Sequence, residues 1–275
     1  MGNILWLASY PKSGNTWLRA FLANLIVDGE QPLPLAELSR YCGDEALPGS
    51  YSQLAGRPHT ELEPGGIAAL RPQVHRQLAA ASDRTIPVKT HNLAGSFDGY
   101  PLHEPSVTAG AVYVLRNPLD VVPSLADHFG LSLDEAIEFL NSADTATENN
   151  ELFVGQVLGS WSQHVESWVS QAGPRVLVVR YEDLHGKADK TFGKVARLLG
   201  VRDKARIRRA QRAASFRELS SQEQADGFVE RSDKAERFFR QGRPGGWRNV
   251  LSPAQIERVV AAHGPTMQRY KYLPT

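Results

Sequence analysis

The sequence predicts an α/β protein in three layers, a central parallel sheet with helices on both faces (α/β/α). Three observations carry that expectation. Short apolar runs alternate with longer segments of helical pattern, as parallel sheets with crossover connections require. Val112-Tyr113-Val114-Leu115 and Val176-Leu177-Val178-Val179 are near-continuous apolar runs, as strands covered on both faces must be. Polar residues suited to chemistry follow the strand ends, where open α/β sheets hold their ligands.

Taken in order, strands are expected at residues 4–10, 85–90, 111–115 and 175–181. A helix should follow the first strand from residue 18 to 27. Further helical patterns cover 67–81, 118–129, 133–140, 159–171, 188–199 and 253–270. Pro118 is set to open its helix. Residues 28–66, rich in Pro and Gly, read as loops and short turns. Residues 141–158, polar and rich in Asn, read as a mobile lid or a disordered loop. With 275 residues, 41% hydrophobic content and no break in composition, a single domain over 1–275 is expected.

Composition narrows the function. Thirty-one Lys and Arg against thirty Asp and Glu give a net charge of +1, so nothing biases the whole chain toward nucleic acid or an acidic membrane. Within 202–217, seven basic residues stand against Asp203 alone. A solvated helix face is the plain account, and steering of a polyanionic cofactor is the functional one. Nucleic-acid binding is disfavoured, because no aromatics are interleaved and no such motif is present. The single cysteine, Cys42, excludes an intrachain disulfide and a thiolate metal cluster. No basic leader precedes the first apolar run, and no run of 18 apolar residues exists to span a membrane. A cytoplasmic protein is expected.

The most informative stretch is Ser9-Tyr10-Pro11-Lys12-Ser13-Gly14-Asn15-Thr16-Trp17. A strand that turns through Pro, Gly and hydroxyl residues into a helix leaves backbone N–H groups free at the helix start. With the helix dipole and one lysine they make a pocket for an anion. Taken alone, such a loop is also an ordinary corner with a surface lysine. A Walker A loop has its lysine after the last glycine, whereas Lys12 precedes Gly14 by two residues. The order Y-P-K-S-G-x-T-W between strand and helix closely resembles the 5′-phosphosulfate loop of the sulfotransferases. These enzymes take a sulfuryl group from 3′-phosphoadenylyl sulfate (PAPS). The resemblance implies their P-loop-nucleoside-kinase-like fold, with Lys12, Ser13, Gly14, Asn15 and Thr16 on the 5′-phosphosulfate. Asn15 stands where most animal cytosolic members carry Thr.

Other segments extend the likeness. Pro87-Val88-Lys89-Thr90-His91 ends a strand with a lysine and a histidine on one side; histidine titrates near neutrality and can take a proton from an alcohol. This segment resembles the family's catalytic K-T-H, which makes His91 the general base and Lys89 a holder of the acceptor or the transferring group. Arg116 ends the next strand, where a phosphate-hydrolysing P-loop enzyme would place a metal-holding aspartate. Arginine instead offers an anion a planar fork. Arg116 and Ser124 fall on the family's two 3′-phosphate positions; Arg116 paired with Asp120 is the plain alternative. Tyr181 matches a tyrosine beside the adenine. Ser215 and Phe216 resemble a T-S-F segment lining it, with Ala214 in place of the threonine. Trp17 and Phe216 would sandwich the base. Finally, Phe239, Arg240, Gln241 and Gly242 lie in a segment resembling the R-K-G-x-x-G-x-W-K loop over the 3′-phosphate, with Gln241 where lysine is usual.

Together these segments identify a PAPS-dependent sulfotransferase, from the resemblance and over nearly the whole chain. It implies in-line transfer without a metal, Lys12 supporting the leaving oxygen, and release of adenosine 3′,5′-bisphosphate. A small hydroxylated molecule is the implied acceptor, met by residues 28–66, 92–105 and 141–158. The short dimerisation motif of animal members is not present after the last loop, which gives the chain a bacterial look. Two alternatives stay open: a P-loop nucleotide kinase or NTPase, and a protein that binds the nucleotide without transferring anything.

Overall fold

The computed structural model describes residues 2–170 and 176–274. Among the described residues seven strands follow one another: β1 (Ile4–Ser9), β2 (Gly43–Asp44), β3 (Ile86–Thr90), β4 (Ser96–Phe97), β5 (Tyr100–Pro101), β6 (Thr108–Leu115) and β7 (Val176–Arg180). Five of them form a parallel sheet in the order β2-β3-β1-β6-β7, while β4 and β5 make a small antiparallel ribbon. The register sets Ala8 opposite Thr90, Ser9 opposite Val114 and Leu115 opposite Arg180. Strand ends are therefore level, and the segments after β1, β3, β6 and β7 emerge along one edge.

Side chains of β1 alternate between two cores. Ile4, Trp6 and Ala8 pack among residues of the helices Pro118–Phe129, Leu133–Asn141, Trp161–Val169 and Pro253–Arg269. Leu5 and Leu7 face the opposite layer, with the helices Asn15–Val27, Ala188–Leu198 and Lys204–Ala213. All six residues of β1 are buried, so this strand is covered on both faces as its composition demands. Each fully buried aliphatic side chain contributes about 1.5–3 kcal/mol. Three layers result, and the expected α/β/α class is the observed one. Among the described residues, no helix is long and apolar enough to cross a membrane.

Several expected elements differ from the observed ones. Residues 28–66 hold more than turns: the short helices Leu38–Tyr41 and Pro48–Ala55 and the edge strand β2 lie there. A two-residue strand has no room to show a period of two, so no pattern announced it. The helix Phe216–Asp226 also went unforeseen, since its face alternates polar groups with few apolar ones. The fourth strand's first expected residue, Arg175, and the end of helix 159–171 at Gln171 lie outside the described residues.

The stretch 141–158, expected as a mobile or disordered loop, is pinned. Ala146 bridges Val157, and Asn149 and Asn150 bond back onto neighbouring backbone. Its strongest tether is Glu45, a fully buried carboxylate beside β2. Glu45 accepts hydrogen bonds from Thr90 Oγ1 at 2.9 Å, Asn92 Nδ2 at 2.6 Å and Gln156 Nε2 at 2.8 Å, and pairs with the buried Arg71. Burial alone would raise its carboxyl group; Arg71 beside it wins and holds it far below the usual range. One buried charge thus joins the end of β3 to the 141–158 stretch.

Candidate functional site

Beyond the level strand ends lies a cavity of about 760 Å³. The turn after β1 forms its floor. Lys12 and Gly14 adopt left-handed backbone, at φ 63° and 102°. A Cβ on Gly14 would lie 2.6 Å from the Tyr181 ring, so only glycine lets the turn pass beneath that tyrosine. Asn15 opens the helix Asn15–Val27 and turns its amide inward, donating to Leu7 O at 2.8 Å and Ser9 Oγ at 3.3 Å. The Ser13 hydroxyl is buried without a hydrogen-bond partner, a state that costs free energy until something polar meets it.

Lys12 Nζ lies 3.4 Å from His128 Nδ1 and 4.0 Å above the Phe238 ring. Burial lowers its pKa to about 8, which leaves it mostly charged at neutral pH. Burial and then the nearby Lys12 push His128 down to about 3. That histidine is neutral, so its Nδ1 can accept from the ammonium.

The end of β3 brings Lys89 and His91 to the same cavity. His91 Nδ1 is 2.8 Å from the carbonyl oxygen of Ser9. Burial, then Lys89, lowers the His91 pKa to about 3, although one edge of the ring keeps contact with the cavity. Lys89 Nζ is 2.9 Å from Asp44 Oδ2 and 3.5 Å from Glu230 Oε2. Burial alone would lower its pKa, but Asp44 and Glu230 raise it.

Arg116 follows β6 and reaches under the first turn, donating from Nη1 to Lys12 O at 2.8 Å. Its guanidinium lies 4.4 Å from the Tyr181 ring centroid, and its Nε is buried without a partner. Asp120 is not its partner. That carboxylate instead accepts Gly245 N at 2.7 Å and Trp247 N at 3.1 Å, holding one end of the glycine-rich loop. Glu223 holds the other end, accepting Phe238 N at 2.6 Å and Phe239 N at 2.9 Å.

Of the residues singled out from sequence, Lys12, Gly14, Asn15, Thr16, Trp17, Lys89, His91, Arg116, Ser124, Tyr181, Phe216, Phe239, Arg240, Gln241 and Gly242 line this cavity. Ser13 and Ser215 do not. Ser215 caps the helix Phe216–Asp226, its hydroxyl accepting Glu218 N at 3.3 Å. Trp17 packs against His185, Tyr181 and Phe192. Phe216 lies over Gly242, where a Cβ would meet its ring at 2.0 Å.

Sequence reasoning missed Asp44, Glu223, Glu230 and His128. The last was findable: it lies four residues after Ser124, on the same face of the helix Pro118–Phe129. Glu230 was not, because 141 residues separate it from Lys89.

The family model for the sulfotransferase domain matches residues 3–271. Cytosolic sulfotransferase 12 of Arabidopsis thaliana is 28% identical, over 92% of this chain and 74% of that protein. Flavonol 3-sulfotransferase of Flaveria bidentis is 26% identical, over 94% and 79%. Among solved structures, mouse sulfotransferase SULT7A1 complexed with PAP has a TM-score of 0.62 at 21% identity, covering 98% of this chain and 88% of that one. Retinol dehydratase in complex with androsterone and inactive cofactor PAP reaches 0.64 at 18% identity, over 96% and 80%. Since the family match runs almost from end to end, the chain belongs to the sulfotransferase family and is a transferase.

Proposed function

We propose that this sulfotransferase carries a sulfuryl group from PAPS to a hydroxyl of a small-molecule acceptor, releasing adenosine 3′,5′-bisphosphate. The observation that carries the proposal is the meeting of Lys12, Lys89, His91 and Arg116 on one cavity from three strand ends. Arg116, which lines that cavity with a buried Nε donor that has no partner, suits an anionic ligand. PAP bound to the two solved neighbours supports the same donor here. The androsterone that one of them also binds, and the flavonol in a relative's name, support a hydroxylated small molecule.

The roles follow from the chemistry of each group. Lys12 and the N–H groups of residues 13–16 hold the 5′-phosphosulfate and stabilise charge on the bridging oxygen as its bond to sulfur breaks. His91 Nε2 takes the proton from the acceptor hydroxyl as the new oxygen–sulfur bond forms. Lys89 supports the sulfuryl oxygens. Arg116, Ser124, Arg240, Gln241 and Gly242 hold the 3′-phosphate; Trp17, Tyr181, Phe216 and Phe239 surround the adenine. Such a reaction needs no metal. Residues 1–275 act as one domain, in keeping with two cores on the faces of one sheet, and the cytoplasm is the expected compartment.

Incubation with labelled PAPS and a panel of alcohols and phenols, followed by mass spectrometry, tests the proposal. Addition of one sulfate to an acceptor supports it. Tight binding of adenosine 3′,5′-bisphosphate with no transfer across the panel would leave a binding protein, and magnesium-dependent ATP turnover would mark a nucleotide kinase or NTPase.

A further inference from the structure

The loop that follows the helix Phe216–Asp226 lays Glu230 against two cations that belong to rigid elements. Glu230 Oε1 pairs with the guanidinium of Arg19, a fully buried side chain of the helix Asn15–Val27. Glu230 Oε2 lies 3.5 Å from Lys89 Nζ, which is itself 2.9 Å from Asp44 Oδ2 on β2. Both glutamate oxygens are thus engaged. Burial would raise this carboxyl group, but Lys89 and then Arg19 hold it at about 2, ionised at any working pH.

An ammonium has three N–H donors on a flexible stem and keeps a direction only where acceptors hold it. Asp44 and Glu230 approach Lys89 from segments far apart in the chain, the edge strand and the cavity loop. They account for two donors and leave the third for the cavity, where the Phe153 ring lies 5.3 Å from Nζ. With Asp44 alone, the stem would be free to swing about a single tether.

The nucleotide side of the same loop does not need Glu230. Glu223 and Asp120 already clamp the backbone on either side of Arg240–Gly242. Loss of the Glu230 charge should therefore act on Lys89 and spare nucleotide affinity.

We propose that Glu230 is a positioning residue: together with Asp44 it aims the Lys89 ammonium at the group being transferred. This rests on the sulfotransfer proposed above. Glu230→Gln keeps the side chain's shape and an oxygen for Arg19 while removing the charge that holds Lys89. Glu230→Asp serves as the second variant should the amide fold poorly, since it keeps the charge and withdraws it by one methylene.

The test uses the full-length protein, with steady-state transfer, calorimetry with adenosine 3′,5′-bisphosphate, and NMR of the lysine side chains, Lys89 being assigned by its loss in Lys89→Met. Glu230→Gln should lower kcat at least tenfold and change nucleotide Kd less than threefold. In a Lys89→Met background the same change should cost less than twofold. The Lys89 resonance should titrate at lower pH in Glu230→Gln than in the wild type. Independent, multiplicative losses in the double variant would overturn the proposal, as would equal losses of kcat and nucleotide affinity. An unmoved Lys89 titration would overturn it whether or not the protein transfers sulfate. A wild type that transfers nothing, yet whose Lys89 titration moves with Glu230→Gln, would sink the sulfotransfer proposal and leave the Glu230–Lys89 tether standing.

Discussion

His91 Nδ1 lies 2.8 Å from the carbonyl oxygen of Ser9. A carbonyl oxygen only accepts, so Nδ1 carries the hydrogen and Nε2 keeps its lone pair. The last residue of β1 thereby selects the tautomer of the histidine that follows β3. His164 Nε2, 3.0 Å from His91 O, holds the same residue's backbone.

The role proposed for His91 has a clear kinetic signature. His91→Ala should lower kcat by about 10²-fold or more, the usual contribution of a positioned acid–base group. Affinity for adenosine 3′,5′-bisphosphate should stay within threefold. Steady-state transfer and calorimetry measure the two; near-native turnover would remove His91 from the role.

Acidity should affect stability before it affects the proposed base. His91 and His128 have pKa values lowered to about 3, and His164 and His263 to about 4, each mainly by burial. Unfolded histidine titrates near about 6.5, so between these values the unfolded chain binds more protons. Stability is then complete above about pH 6.5 and declines as pH falls toward 4. Urea midpoints should drop steadily from pH 7 to pH 5, whereas kcat/KM corrected for folded protein should show no acid limb in that interval.

Arg116 carries the clearest specificity expectation. Arg116→Ala should weaken adenosine 3′,5′-bisphosphate by roughly 10–100-fold, the loss of a charged hydrogen bond of about 1.5–3 kcal/mol. Adenosine 5′-phosphate should lose far less. Equal losses in calorimetry would move Arg116 away from the 3′-phosphate.

Gly242 is a backbone requirement of the cavity wall. It sits at φ 60°, and a Cβ there would be 2.0 Å from the Phe216 ring. Gly242→Ala should displace that ring and weaken nucleotide binding at least tenfold. Gly56→Ala has similar strain at φ 67° but meets nothing within 4 Å; it should lower stability slightly and leave nucleotide affinity unchanged.

Arg71 neutralises the buried Glu45. Arg71→Met should cost about 3–5 kcal/mol of unfolding free energy, because it strands a buried charge. Chemical denaturation reads the loss directly, and a change under 1 kcal/mol would mean that Glu45 is stabilised by its other partners.

Much of this was legible one segment at a time. The apolar runs of β1, β6 and β7 announce strands buried on both faces, and Lys12-Ser13-Gly14 announces a turn into a helix. Lys89, His91, Arg116 and Tyr181 stand at strand ends, and a parallel sheet brings strand ends to one edge whatever else the chain does. Ser215 shows the limit of the method: next to Phe216 it reads as a ligand contact, yet its hydroxyl caps a helix. The 141–158 stretch reads as loose because its anchors are not local. Gln156 reaches Glu45 across 111 residues.

The sequence by itself determined the layers, the order of the segments that line the cavity and the family, because each signal lies within a few neighbouring residues. Only the tertiary structure decided which of thirty acidic residues would face which cation. Asp44 and Glu230 meet Lys89 from 45 and 141 residues away, and Asp120 turned from Arg116 to the backbone of Gly245 and Trp247. A buried charge must find an opposite charge or a donor, but any of many would serve. The path of the folded chain makes the choice.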